Sequence, residues 1–340
     1  MTDTLRPAAC DTTRPAPPRL RGAPDAPGTP NLRPLRLALP KGRQQAGVER
    51  LFQDAGISLR TGERGYRPLL GLERVEAKLL KPRDVVGMLA AGARDVGFCG
   101  ADWVTEAGAE LVLLLDLGLD PVRLVAAAPE AVAERLRGPL GAAGDTSAID
   151  RQDARSFAPR RAGERPLVVA SEYTRLAAAW IARRGLDARV LATFGATEVF
   201  PPEDADVIVD NTASGATLRA NGLTIVDEVL CSTTGLYAAP AALDEPSLRP
   251  LIDDLVLCLR AVLDARQRVM LELNVEPACL DQVLDALPCM RQPTIATLRD
   301  GAGFAVRAAV PRADLARLMP RLKALGGTDL VVSPVALLVP

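Results

Sequence analysis

Histidine is absent from all 340 residues. That excludes the Ser-His-Asp and Cys-His nucleophile systems, the HExxH metalloproteases and any histidine general base. Chemistry on this chain must rest on carboxylates, Lys and Arg, hydroxyls and backbone amides, with or without a phosphate-bound metal ion. Aromatic residues make up only 3%, too few for a base-stacking nucleic-acid binder. The formal net charge is −1, so no basic field attracts nucleic acid either. No apolar run reaches membrane-spanning length; "LVLLLDLGL" is broken at Asp116 and reads as a buried strand. No two of the six cysteines (Cys10, Cys99, Cys231, Cys258, Cys279, Cys289) form a Cys-x-x-Cys pair. They read as buried thiols of a reducing cytoplasm. Met1–Arg33 has no apolar segment of the kind a secretion signal carries, so a cytoplasmic location is expected.

What is present is an ordinary globular composition, 48% hydrophobic and 24% charged. The length allows two or three domains. Residues 1–32 are rich in Pro, Ala and Arg without apolar pattern and read as a disordered tail. Order begins at "LRLALPKGR", with a strand at Leu35–Leu39 and a turn at Lys41-Gly42-Arg43. The helix "QAGVERLFQDAG" stops at Gly56, a strand follows at Val96–Cys99, and "LVLLLDLG" and "VRLVAAAP" read as two more strands. Residues 138–166 are Gly-, Pro- and Arg-rich and read as a surface excursion. Alternation resumes with "PLVVAS", "YTRLAAAWIARRG", "ARVLATFG", "ADVIVD" and "LTIVDEVL", then a helix at about Leu248–Arg268. Such alternation predicts an α/β fold with a largely parallel sheet. The remaining segments spell βαββαβ, a small ferredoxin-like regulatory module.

One stretch points to chemistry: "VIVDNTASGATLRANGL", Val207 to Leu223. A strand that turns through Gly into a helix start sets several backbone N–H groups on one concave surface. Gly215 lets a bulky anion approach the backbone, and Ser214 and Thr217 add hydroxyl donors. Asp210 ends its strand where open α/β sheets bind ligands. An acid beside a phosphate cradle suits ribose hydroxyls, or a Mg²⁺ shared with the ligand. The chemical reading is a phosphorylated sugar; by spacing alone, Asp-x₄-Gly-x-Thr is equally an ordinary turn. Asp102 reads as the N-cap of the helix after "GFCG".

Taken in order, these segments resemble the ATP phosphoribosyltransferase family in its long form, the first enzyme of histidine biosynthesis. "ADVIVDNTASGATLRANGL" is similar to its phosphoribosyl-pyrophosphate loop. "LRLALPKGR" resembles its opening strand and turn, and "ARDVGFCGADWVTEAGAE" its Asp-x-Gly-x-x-Gly-x-Asp segment. "LDLGLDPVRLVAAAP" resembles its crossing strand, and "VASEYTRLAAAWIARRGLDARVLATFGATEV" the helix and Gly-x-x-Glu element before the loop. "LNVEPACLDQVLDALPCMRQPTIATL" and "LKALGGTDLVVSPV" are similar to its regulatory domain. The likeness covers about residues 33–340. It departs at Asn211 and Thr212, where the family usually has an apolar pair, and at Asp120-Pro121-Val122-Arg123-Leu124, where it has Gly-Cys-Arg-Leu. Residues 138–166 are also longer than usual.

The resemblance implies two catalytic α/β domains like those of type II periplasmic-binding proteins, at 33–124 with 234–264 and at 125–233. A ferredoxin-like (ACT-like) regulatory domain follows at 265–340. The implied reaction joins N1 of ATP to the anomeric carbon of phosphoribosyl pyrophosphate and expels pyrophosphate complexed with Mg²⁺. Lys41, Arg43, Glu198 and Asp210 carry the implied catalytic roles. Asp210, Asn211, Thr212, Ala213, Ser214, Gly215, Ala216 and Thr217 hold the sugar phosphate through backbone amides, so side chains at 211 and 212 should matter little. Arg67 meets the ATP side, and Asp206 with Asp210 the metal. Free histidine is implied as an inhibitor bound near Asn274, Thr294 and Gly327, acting on a homohexamer built from dimers. Two further readings fit the same pattern: a catalytically weak regulatory paralogue, and a non-catalytic small-molecule-binding protein of the same fold.

Overall fold

The computed structural model describes residues 32–60, 65–137 and 165–340. Residues 1–31 of the tail and 138–164 of the excursion lie outside the described residues. β1 (Leu35–Pro40) leads through α1 (Arg43–Asp54) and a small hairpin, β2 (Leu59–Arg60) and β3 (Leu69–Leu70), into β4 (Val75–Leu80). Then come α2 (Pro82–Ala90), β5 (Val96–Gly100) and α3 (Ala101–Ala107). β1 pairs in parallel with both β4 and β5. β5 is buried along its whole length, as a strand covered on both faces must be.

β6 (Val112–Pro129) is followed by α4 (Glu130–Leu136), β7 (Leu167–Ser171), α5 (Thr174–Arg184) and β8 (Ala188–Ala192). β9 (Val207–Thr212), α6 (Ala216–Ala220) and β10 (Leu223–Ala238) complete a sheet ordered β4-β1-β5-β10-β6-β9-β7-β8. β7 runs parallel to β8 and β9. β6 and β10 run antiparallel to each other between the two parallel sets. The sheet is therefore mixed, not largely parallel. The expectation failed because "LVLLLDLG" and "VRLVAAAP" form one strand, and because β10 continues past "LTIVDEVL". The long pair breaks register several times and re-forms, and bulges let a strand bend without ending.

Helices cover both faces of each half. In the first half, α1 and α8 (Arg249–Arg266), the latter preceded by α7 (Pro240–Leu243), bring Leu51, Phe52 and Leu259 into one core with Leu37 and Phe98 of the sheet. Ala38, Val85, Val86, Leu89 and Cys99 form the opposite core. In the second half, Leu124, Val169, Tyr173, Trp180 and Val209 form one core, and Val125, Ile208, Leu218 and Leu223 the other. Each fully buried Leu or Phe contributes about 1.5–3 kcal/mol, whereas exposed ion pairs contribute about 0–1, so the cores hold the fold.

β11 (Arg268–Val275), α9 (Leu280–Ala286), β12 (Thr294–Thr297), β13 (Phe304–Pro311), α10 (Leu315–Ala324) and β14 (Thr328–Pro334) form a separate sheet. Its order is β12-β13-β11-β14, with every neighbour antiparallel. β11 alternates strictly, and Val269, Leu271, Leu273 and Val275 join Val306, Leu318 and Leu322 in a core of their own. No described helix is long and apolar enough to cross a membrane. Cys99 is buried but Cys231 is exposed, so the reading of all cysteines as buried thiols does not hold.

Candidate active site

Where the two halves meet at β6 and β10, strand ends enclose a cavity of about 190 Å³. Arg43, Gln44, Asp102 and Trp103 line it from the first half, and Tyr173 and Asn211 from the second. Asp102 is not the N-cap of α3; Gly100 takes that place. The Asp102 carboxylate is buried. It accepts hydrogen bonds from Ser232 Oγ at 2.7 Å and Tyr173 Oη at 2.8 Å. These donors offset the cost of burying an acid without a cation. Tyr173 Oη in turn accepts from Asn211 Nδ2 at 3.1 Å. Its ring stacks on Trp103, centroids 4.5 Å apart. Burial, then the nearby Asp102, pushes the Tyr173 hydroxyl well up, so it remains a donor at ordinary pH.

β9 delivers Asp210 to the mouth of the loop. Burial pushes its carboxyl up, and Glu172 and Glu198 push the same way. Asn211 N, donating at 2.6 Å, and the Thr197 hydroxyl act against them. Glu198 sits beside Thr197 in a short turn at Thr197–Val199. The loop turns at Gly215 with φ 71°, a region that costs other residues. Thr212 Oγ1 accepts from Gly215 N at 2.9 Å, and Ser214 Oγ from Ala216 N at 3.3 Å. Side chains 211 and 212, expected to matter little, both make hydrogen bonds within the protein. Thr212 holds the turn, and Asn211 ties the loop's strand to Tyr173. Ala213, Ser214, Ala216 and Thr217 are exposed around that turn.

The other expected residues divide. Lys41 ends up beside β1 with Nζ 3.3 Å from Tyr66 Oη and over that ring. Arg43 opens α1 and faces the cavity. Arg67 does not reach it, lining instead a separate cavity of about 260 Å³ with Val75, Glu76 and Arg94. The cause is that Tyr66 O holds Leu79 N, which fixes the segment on β4 with Tyr66 toward Lys41. Asp206 stands at the far end of β9. Its carboxylate is taken by Arg165, at 2.7 and 2.9 Å, and by Val168 N at 2.8 Å. Four residues of strand, about 13 Å, separate it from Asp210, so the structure does not bring these two carboxylates together, and Asp206 braces β9 against β7.

Among the described residues, no group of three or more acidic or sulfur side chains could hold a metal ion by itself. Asp210, pressed by two other acids, fits a Mg²⁺ that brings its remaining ligands as substrate and water oxygens. Of Asn274, Thr294 and Gly327, the structure brings two together, since Asn274 pairs with Thr328 next to Gly327, while Thr294 stands apart. Asn274 Nδ2 donates to Asp329 Oδ2 at 2.9 Å. Thr294 is exposed on β12, with β13 between it and β11, roughly 10 Å away. A Cβ on Gly327 would stand 2.8 Å from Leu322 O, so this glycine serves packing.

Sequence reasoning missed Gln44, Trp103, Tyr173 and Ser232. Their partners lie far along the chain, as Asp102 does from Ser232, and no local spacing marks them. The one available sign was a tyrosine at the junction of β7 and α5.

The chain matches the family model described as "ATP phosphoribosyltransferase" over residues 81–261. It matches "HisG, C-terminal domain" over residues 265–336. An ATP phosphoribosyltransferase of Chlorobaculum parvum is 33% identical over 297 residues, spanning 86% of this chain and 93% of the relative. That of Koribacter versatilis is 33% identical over 305 residues, spanning 88% and 97%. Among solved structures, the ATP phosphoribosyl transferase (HisG:HisZ) complex from Thermotoga maritima aligns with TM-score 0.53 at 22% identity. The alignment covers 68% of this chain and 98% of that one, and shows a shared fold.

Proposed function

The chain belongs to the ATP phosphoribosyltransferase family, and we propose how its own residues carry out that reaction of histidine biosynthesis. The loop from Asp210 to Thr217 takes phosphoribosyl pyrophosphate, with the 5-phosphate on loop amides and on the Ser214 and Thr217 hydroxyls. The Ser214 Oγ bond to Ala216 N is long and exposed, so the phosphate can replace it. Asp210 takes the ribose hydroxyls. The base of ATP enters the cavity beside Trp103 and Tyr173. Its N1 lone pair forms the bond to the anomeric carbon as the carbon–oxygen bond to pyrophosphate breaks, and that electron pair leaves with pyrophosphate. Positive charge grows on the ribose, where Asp210, Glu198 and Glu172 provide a negative field already in place. Lys41 and Arg43 supply cations to phosphate oxygens. Mg²⁺ held by Asp210 and the diphosphate would neutralise the leaving group, which then needs no acid. A chain without histidine can do all of this by positioning and electrostatics.

The observation that carries this reading is Asp210, desolvated among acids beside the Gly215 turn. Release of pyrophosphate that requires both ATP and phosphoribosyl pyrophosphate tests it. Release with either one alone, or none, sinks it.

Residues 33–124 with 234–264, and 125–233, are taken as the two catalytic domains, and 265–340 as a ferredoxin-like (ACT-like) regulatory domain. The separate core and the strand order β12-β13-β11-β14 support this division. Histidine would bind near Asn274, Thr294 and Gly327 where copies meet in a homohexamer of dimers, since one chain leaves Thr294 apart from the other two. The biosynthetic role supports a cytoplasmic location.

A further inference from the structure

Gln44 and Asp120 both line the cleft cavity, and one buried acceptor on each, Gln44 Oε1 and Asp120 Oδ2, has no hydrogen-bond donor among the described residues. Gln44 is 8% exposed. Leaving such an atom unpaired is costly, and each one in a native structure calls for an explanation. The backbone around Asp120 is unusual too. Ser232 pairs with Val122 and Thr234 with Leu119, so Asp120 and Pro121 form a bulge in β6. Bulges beside active sites re-aim a side chain. Asp120 has φ 48°, a strained conformation for a residue with a side chain. Gly47 in α1 leaves room for the carboxylate, since a Cβ there would stand 3.4 Å from Asp120 Oδ2. Asp102, by contrast, already has both oxygens engaged.

We infer that Gln44 and Asp120 are specificity-determining residues that read the exocyclic amino group of the purine base. This rests on the reading of the cavity as the ATP site. Two acceptors suit an amine with two N–H donors and reject a keto oxygen, which would face them lone pair to lone pair. The same pair aids the transfer. When N1 bonds to the anomeric carbon and pyrophosphate leaves with the broken bond's electrons, the base gains one positive charge shared between N1 and the amine. No proton has to move, and the Asp120 carboxylate stands ready beside the charged amine. Asp120 lies in the segment that departs from the resemblance noted above, so the device belongs to this chain's own sequence.

The test compares binding of ATP and ITP by calorimetry to the full-length protein, and turnover with ATP. Wild type should bind ATP at least roughly ten-fold more tightly than ITP. Asp120→Asn can present an amide donor instead, so ATP should weaken roughly ten- to a hundred-fold and ITP should gain. Asp120→Gly relieves the positive φ, so it should melt no lower than wild type yet lose the same discrimination. Gln44→Leu should lower the ATP-to-ITP ratio as well. If all three variants keep the wild-type ratio, the acceptors are satisfied by water and the inference fails. If wild type binds ATP nowhere and releases no pyrophosphate, the reading of the cleft itself fails.

Discussion

Tyr173, at the start of α5, donates a 2.8 Å hydrogen bond to the carboxylate of Asp102, in the first turn of α3. This bond joins the two halves of the sheet across the cleft, and Asn211 and Ser232 extend it on either side. Tyr173→Phe removes the donor and leaves Asp102 Oδ2 buried. Unfolding free energy from denaturant titration should fall by about 1–3 kcal/mol. The cost should be smaller when Asp102 is already Asn, because the two residues share one network. Equal costs in both backgrounds would show that the bond contributes nothing.

Asp210 trades stability for function. Its carboxyl is raised by burial first and by Glu172 and Glu198 next. A folded pKa above the unfolded one means the folded state holds the proton more tightly. Stability from this group is therefore full below the unfolded value of 3.8 and is lost as pH rises through the folded pKa. Asp210→Asn should raise the melting temperature of the free protein near neutral pH, with the gain shrinking as pH falls toward that value. Catalytic efficiency should drop roughly ten- to a hundred-fold, the worth of one charge-assisted hydrogen bond. Thermal melts across pH and steady-state kinetics read the two effects separately.

The loop variants should rank by backbone cost. Gly215→Val forces a branched residue to φ 71° and sets its Cβ 3.1 Å from Arg219 Nη1. It should abolish phosphoribosyl-pyrophosphate binding. Thr212→Val orphans the buried Gly215 amide, at about 1–3 kcal/mol, and should raise the KM for phosphoribosyl pyrophosphate several-fold. Asn211→Leu loses one bond to Tyr173 and should be mildest in KM. A Thr212→Val enzyme with wild-type KM would show that the hydroxyl does not shape the cradle.

Asp206→Asn weakens the Arg165 fork and the tie to β7. The melting temperature should fall, while the Mg²⁺ concentration for half-maximal activity stays unchanged. A several-fold shift in that concentration would mark Asp206 as a metal ligand.

Histidine should bind the full-length protein by calorimetry and inhibit it, and Thr294→Ala should weaken both. Because Thr294 is exposed on an edge strand, the change should leave the fold intact. Inhibition that survives Thr294→Ala unaltered would move the site elsewhere.

Much of this was legible in the amino-acid order. Alternating apolar strands and helices, the βαββαβ ending and the Asp210–Thr217 turn all depend on contacts between near neighbours, and period and turn chemistry report those directly. The absence of histidine alone excluded most acid–base machinery. Tertiary structure decided the rest. Residue spacing cannot show that two strands separated by an aspartate are one, because whether a bulge is absorbed depends on the partner strand, here β10. It cannot show that Arg67 faces away from the cleft or that Asp206 meets Arg165. Nor can it assemble Gln44, Asp102, Asp120, Tyr173, Asn211 and Ser232 around one cavity. Those residues come from five separate elements and the bulge in β6, and only the antiparallel crossing of β6 and β10 brings them together.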